Sequence, residues 1–266
     1  VDEATADLNA AIAGLVLKPG DPVDTTISFQ TDATGFLLAK KPVSVATDLS
    51  ERYGYPDTYK GAQATSLDAL VAAHIALFGD EPAVIHDKLT VTSSGFVTRF
   101  LGEDSSAFGF FINGTMSGDG NFKPDPYSGG TSQTGYTVSE APLGGNDDVL
   151  FIRYQDTSYY LDLFAWFEAD GQKTSALSVT AGENVTLTLK GYFAAWYGLS
   201  DPDWQAQKTA PIEEGAVVPV TLAGDAGMFG AALATTDTNG QATLSFAEPG
   251  TYVLSAIDAS EYGHPL

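Results

Sequence analysis

Two stretches constrain this chain more than any others. One is Gly109-Phe110-Phe111-Ile112-Asn113-Gly114, and the other, farther along, is Asp147-Asp148-Val149-Leu150-Phe151-Ile152-Arg153-Tyr154. The first is an apolar strand running into Asn-Gly, the dipeptide that best tolerates the two positive φ angles of a type I′ hairpin turn. The second is an acidic pair opening another strand. Together they point to a small extracellular β-rich module and away from an enzyme.

Composition narrows the partners. The 266 residues suffice for two domains, and a 44% hydrophobic content supplies real cores. Against 34 acidic residues stand 12 basic ones, a formal net charge of −22. Such a surface cannot neutralise a run of phosphates or approach an anionic membrane, so nucleic acid and lipid are excluded as expected partners. It favours a soluble monomer. With no cysteine in the chain, disulfides, thiolate metal sites and cysteine nucleophiles are ruled out. No apolar run reaches the length of a membrane span. A start at Val1 reads as a mature or trimmed piece of a secreted bacterial protein, and the richness in Thr, Ser, Gly, Tyr and Asp fits a Gram-positive cell surface.

Along the chain, Leu8, Ile12, Leu15 and Val16 share one face of an expected helix over 4–16. Strands are expected over 24–30 and 41–47, then a long loop over 48–63 with Tyr53, Tyr55 and Tyr59 as aromatic anchors. Residues 65–78 form the clearest helix. Thr65 or Ser66 caps it, Leu67, Leu70, Val71, Ile75 and Phe78 make its stripe, and Gly79 ends it. Short strands are expected over 88–92, 95–101, 107–112, 149–154 and 159–167, the last two as a hairpin through 155–158. From Ala169-Asp170-Gly171 onward no helical period appears. Short strands recur over 176–180, 184–192, 216–222, 229–236, 241–246 and 250–256, with Thr238-Asn239-Gly240 as a hairpin signal. The fold class expected is therefore an α+β module over 1–170 followed by an all-β sandwich over 171–266, with the seam between Phe167 and Lys173.

Gly95-Phe96-Val97, Phe110-Phe111-Ile112-Asn113-Gly114 and Asp147-Asp148-Val149-Leu150, with the helix from Leu67 to Phe78, carry a resemblance over roughly residues 24–167. The first domain resembles a family of unknown function related to the C-terminal domain of transcobalamin and intrinsic factor. It departs from that pattern at Asn146, where the family often has Gly, and in its long 117–145 loop. The second domain resembles bacterial immunoglobulin-like surface modules. That likeness rests on Val179-Thr180-Ala181-Gly182-Glu183-Asn184-Val185-Thr186-Leu187, on Asn239-Gly240-Gln241-Ala242-Thr243-Leu244-Ser245-Phe246, and on Pro249-Gly250-Thr251-Tyr252-Val253-Leu254. These resemblances imply a non-catalytic, secreted or cell-surface protein. Small-molecule, corrinoid-like binding is an alternative that the first likeness brings with it.

Few residues carry chemistry. His74, His86 and His264 lack the spacing of a zinc site, so packing or surface roles are expected. No Gly-x-Ser-x-Gly elbow and no phosphate loop occurs. A glycan-active enzyme with two carboxylates converging in space is the lesser alternative. Asp119, Asn121 and Asp125 sit at positions 1, 3 and 7 of a calcium-type loop. Position 6 is Pro124 and position 12 is Gly130, so a solvated turn is the simpler reading and no cofactor is expected, Ca²⁺ being the ion such a charge would suit. The aromatic clusters Trp196, Tyr197 and Trp204, and Tyr53, Tyr55 and Tyr59, are the candidate binding residues, because rings give rigid contact area at low entropy cost. The expected function is adhesion or ligand display toward a host or cell-wall protein or glycan.

Overall fold

The computed structural model describes residues 20–32, 34–104, 107–113, 115–116, 123–124, 131–132, 137–153, 163–193 and 210–258. They form mostly β-sheet with few helices. The helix expected over 4–16 lies outside the described residues. Contacts divide the chain into two units that interleave in sequence. One comprises Val1–Thr26, Pro42–Ser105 and Ser117–Asp147, and the other Ile27–Lys41, Ser106–Met116 and Asp148–Leu266. The strands β1 (Val23–Asp32) and β2 (Gly35–Val45) are each divided between them. No helix among the described residues is long and apolar enough to cross a membrane.

The first unit holds the helices. A single turn, α1 (Leu49–Arg52), interrupts the stretch expected to be loop. The main helix α2 (Ser66–Phe78) has Thr65 as N-cap and ends at Gly79, whose φ is 87°. Every residue from Ser66 to His74 is buried, so α2 is a core helix and not one with a single apolar stripe; of the expected stripe, Phe78 emerges into solvent.

A buried helix start carries four N–H groups without intrahelical partners, and here each finds one. The Asp68 N–H donates to Thr65 Oγ1 at 3.3 Å, while the Asp68 carboxylate accepts the Thr65 N–H at 2.7 Å and its hydroxyl at 2.8 Å. The Ser66 and Leu67 N–H groups donate to the carbonyls of Ala141 and Val138, at 2.9 and 2.8 Å. The second oxygen of Asp68 accepts the Ser50 N–H of α1 at 2.7 Å, so one side chain closes α2 and fastens α1.

The short helix α3 (Pro82–Lys88) lies where no element was expected, and takes Lys88 from the strand expected over 88–92. With one buried side chain, Ile85, it has too little apolar period to betray itself, although Pro82 in the first turn suits a helix start. Beyond it, β3 (Thr90–Val91), β4 (Val97–Phe100) and β5 (Glu103–Asp104) form a three-stranded sheet. β8 (Lys123–Pro124) pairs with β9 (Thr131–Ser132).

The second unit is built from two larger sheets. The wider contains β6 (Phe108–Ile112), β7 (Thr115–Met116), β10 (Asp148–Arg153), β15 (Gly215–Ala223), β16 (Ala226–Phe229), β17 (Ala234–Thr235) and β19 (Leu254–Asp258), with β1 and β2 among them. Its order is β17-β15-β16-β2-β1-β10-β6-β7, and β19 also pairs with β15. The other contains β11 (Leu163–Ala169), β12 (Gln172–Lys173), β13 (Asn184–Phe193), β14 (Ala210–Pro211) and β18 (Gln241–Ser245). Leu187 of β13 and Ala242 and Leu244 of β18 bury against Val217 of β15, and Leu189 against Ala256 of β19, so the sheets share a core. Strand alternation explains it, since β18 buries every second residue.

Several expected elements differ. β10 does not form a hairpin with β11: it lies between β1 and β6, whereas β11 pairs with β12 and β13. The segment 176–180 alternates but is exposed and lies outside the ladders. The expected 229–236 strand breaks into β16 and β17, and 250–256 becomes strand only from Leu254. Thr238-Asn239-Gly240 is a tight turn, yet it joins β17 on β15 to β18 on β13, a passage between sheets and not a hairpin. Asp170 and Gly171, with φ of 51° and 73°, form the two-residue turn joining β11 to β12.

The capping network sets a measurable stability. Asp68→Ala strips acceptors from two buried N–H groups and is expected to cost roughly 2–4 kcal/mol. Thr65→Ala is expected to cost about 1 kcal/mol. Both should appear as lower urea midpoints with an unchanged m-value.

Candidate functional site

The tyrosine loop follows α1 and is shaped by its own backbone. Gly54, Lys60 and Gly61 adopt positive φ, and the Asp57 carboxylate accepts the N–H groups of Tyr59 at 3.0 Å and Gly61 at 2.6 Å. This is the self-bonding that makes Asp a turn residue. Three phenols then tie the loop down. Tyr53 donates to the Asp80 carbonyl at 2.8 Å, Tyr55 to the Leu89 carbonyl at 2.8 Å, and Tyr59 to the Glu140 carbonyl at 2.9 Å.

The three rings are thus half-buried anchors that run to three different places. Burial pushes the Tyr55 hydroxyl up to about 12. Burial, seconded by Asp80, also raises that of Tyr53. His86 of α3 lies with its Nε2 2.7 Å from the Tyr53 carbonyl and its ring 5.5 Å from that of Tyr55, edge to face.

Between this loop and the β3–β4 hairpin lies an open cleft of about 520 Å³, lined by Gly54, Tyr55, Pro56, Asp57, Thr58, Val91 and Ser93. One wall is the tethered loop. The other is the hairpin, whose turn is closed by Thr92: its N–H donates to the Phe96 carbonyl at 2.8 Å and its hydroxyl accepts the Phe96 N–H at 3.0 Å. A Cβ on Gly95 (φ 82°) would meet the Ser139 and Thr137 hydroxyls at 2.2 and 2.4 Å, so only glycine lets this turn sit against that segment. The cleft offers a ring, a proline and hydroxyl groups, while its one acid is already engaged by backbone. Val91 was read only as part of a strand over 88–92, and Ser93 carried no sequence signal at all.

Other expected residues separate from this site. Trp196, Tyr197 and Trp204, and Asp119, Asn121 and Asp125, lie outside the described residues. Among the described residues there is no group of three or more His, Asp or Glu arranged as for a metal ion. The two opening motifs do meet: β6 and β10 are antiparallel neighbours with Ile112 opposite Val149. Asn113, at φ 52°, donates its N–H to the Asp148 carbonyl at 2.8 Å and accepts the Asp148 N–H on its side chain at 3.0 Å. His74 is fully buried in α2, with Nδ1 2.8 Å from the Leu70 carbonyl and Nε2 accepting the Leu101 N–H at 3.2 Å. Burial lowers its pKa to about 4, against the partial opposition of the Leu70 carbonyl.

Two outcomes follow for solution work. Tyr55→Phe and Tyr59→Phe each remove a half-buried hydrogen bond and should destabilise by about 1 kcal/mol, while Tyr53→Phe, at a more exposed bond, should do less in the same urea titration. For His74, the folded state stays neutral while the unfolded chain takes a proton below pH 6.5. The stability this group provides is therefore present above pH 6.5 and lost as pH falls toward 4, at about 1.4 kcal/mol per unit. Between pH 6.5 and 5 the natural chain should lose roughly 2 kcal/mol more than His74→Gln.

Comparison with known proteins gives no match: no family model fits the chain, and no characterised protein or solved structure is significantly similar.

Proposed function

We propose that this chain is a non-catalytic recognition module of a secreted or cell-surface protein, and that the cleft between the tyrosine loop and the β3–β4 hairpin takes an uncharged, hydroxyl-rich ligand, a glycan of a cell wall or host surface. The observation that carries this reading is the triple tether of Tyr53, Tyr55 and Tyr59. A loop fixed at three points is formed before a ligand arrives, so binding need not meet the entropy of ordering it. Thr58 and Ser93 supply hydroxyls, and Pro56 with the Tyr55 ring supplies apolar surface. That mixture of a few polar groups on an apolar wall suits sugars. The charge of −22 repels anionic ligands, which leaves neutral ones favoured.

The second unit, in this reading, is an immunoglobulin-like sandwich serving as spacer or second binding surface. Two sheets sharing a core, with the chain passing between them at Asn239-Gly240, support it. Loops on a rigid β scaffold then do the recognising.

The test is a glycan and matrix-protein array with the soluble chain, with and without Ca²⁺. A hit that weakens at least tenfold in Ser93→Trp, at an unchanged melting temperature, is the expected result. A hit insensitive to Ser93→Trp but lost in Trp196→Ala or Trp204→Ala would move the site to the second unit. A blank array would leave the chain as a spacer and overturn the reading.

A further inference from the structure

We propose that His74 is an acid-released latch that fastens the β4–β5 turn, and with it the hairpin wall of the cleft, onto α2. The turn is Leu101-Gly102, both residues at positive φ, 55° and 84°, between the paired Phe100 and Glu103. In a two-residue hairpin the two central N–H groups point away from the ladder and need acceptors elsewhere. Both are captured by the helices. Gly102 donates to the Lys88 carbonyl at the end of α3, at 2.9 Å, and Leu101 donates to Nε2 of His74, at 3.2 Å. Leucine is disfavoured in the left-handed region, so Leu101 keeps that conformation only while its surroundings hold it there.

The acceptor is conditional on charge. Because Nε2 accepts a hydrogen bond from the Leu101 N–H, the neutral ring must carry its own hydrogen on Nδ1, which lies 2.8 Å from the Leu70 carbonyl. Protonation places a second N–H on Nε2, directed at the Leu101 N–H. Two donors then face each other, and the turn keeps only its Lys88 tether.

Several charged groups on the neighbouring elements are paired with one another. Lys88 of α3 bridges to Asp87 with its ammonium over the Phe78 ring. Arg99 bridges to Asp104, beside Glu103. Arg52 bridges to Asp48 next to α1, near Glu51, and Asp68 sits at the far end of α2. What sets the protonation of the ring is burial and the Leu70 carbonyl. The consequence reaches the cleft, since Val91 lies on β3 of the same sheet and Ser93 in its hairpin. The latch does not depend on what the cleft binds, so a blank glycan array leaves it standing.

The experiment is ¹⁵N NMR on the full chain from pH 7 to 3.5. It reads the His74 ring nitrogens, the exchange protection of Leu101 corrected for intrinsic rate, and the Val91 methyl shifts. A neutral Nδ1–H tautomer at pH 7 is expected. As the ring protonates, Leu101 protection should fall at least tenfold and the Val91 methyls should move with the same midpoint, while the Ala69 amide of α2 stays protected. In His74→Gln, which keeps an acceptor without a titration, Leu101 protection should not change over that range. Should this variant not fold, the ring-resolved titration of the natural chain decides alone. An Nε2–H tautomer at pH 7, Leu101 protection unchanged after the ring protonates, or protection lost only together with that of Ala69, would each overturn the latch.

Discussion

Helix α2 enters the first unit without touching solvent, and that single fact makes demands on everything around it. Water cannot serve its first four N–H groups, so the protein must supply acceptors. Asp68 answers for two elements at once, taking the Thr65 N–H on one oxygen and the Ser50 N–H of α1 on the other. The Thr65 hydroxyl takes the Asp68 N–H, and the carbonyls of Val138 and Ala141 take the other two, which fixes where the 137–143 segment must run. Burial raises the pKa of this carboxyl, while the hydrogen bonds from Ser50 and Thr65 pull against the rise. A buried acid with so many donors is a registration device: it is satisfied in one arrangement only.

The same logic recurs at the turns. The Leu101-Gly102 amides land on α2 and α3, the three tyrosyl hydroxyls land on carbonyls of Asp80, Leu89 and Glu140, and Asn113 clamps the start of β10. Strands as short as β3 and β5, two residues each, offer little ladder of their own to hold them in place. Side chains that bond specific backbone groups supply what the ladders lack. The cleft inherits its shape from two such devices, the tethered tyrosine loop and the Thr92-closed hairpin.

This distinction also separates what could be read in the sequence from what could not. Period and punctuation located β1, β10, β13, β15 and β18, because a strand with one buried face must alternate. Thr65 and Gly79 announced α2 through capping chemistry that is local to the chain, while the part of Asp68 in that cap went unread. Partner choice was not legible. The segment 176–180 alternates as β18 does, yet it joins no ladder while β18 pairs with β13, and nothing local to the chain distinguishes the two. The pairing of β10 with β6 and not with its sequence neighbour β11 is likewise a long-range choice that no local pattern encodes. At the site, the tyrosine cluster was visible as composition, but its hydroxyl partners are 27, 34 and 81 residues away, beyond any local pattern.

The acid excess gains a structural meaning from these bonds. Ion pairs such as Lys41 with Asp225 and Arg99 with Asp104 lie at the surface, where solvent screens them and each contributes little. With 12 basic residues against 34 acids, most acids could not be paired with a base in any case. Instead, Asp57 holds the N–H groups of Tyr59 and Gly61, Asp147 that of Gly144, Asp237 those of Asn239 and Gln241, and Glu140 that of Thr137. The bonds from Gln241 and Asn239 hold the Asp237 carboxyl below its ordinary pKa, as expected of a carboxylate bonded in its charged form. A chain with many tight turns exposes N–H groups that need acceptors, and lysine or arginine, being donors only, cannot provide them. Part of the negative charge is therefore the consequence of building a turn-rich fold with carboxylates as backbone acceptors, and it needs no bound cation to account for it.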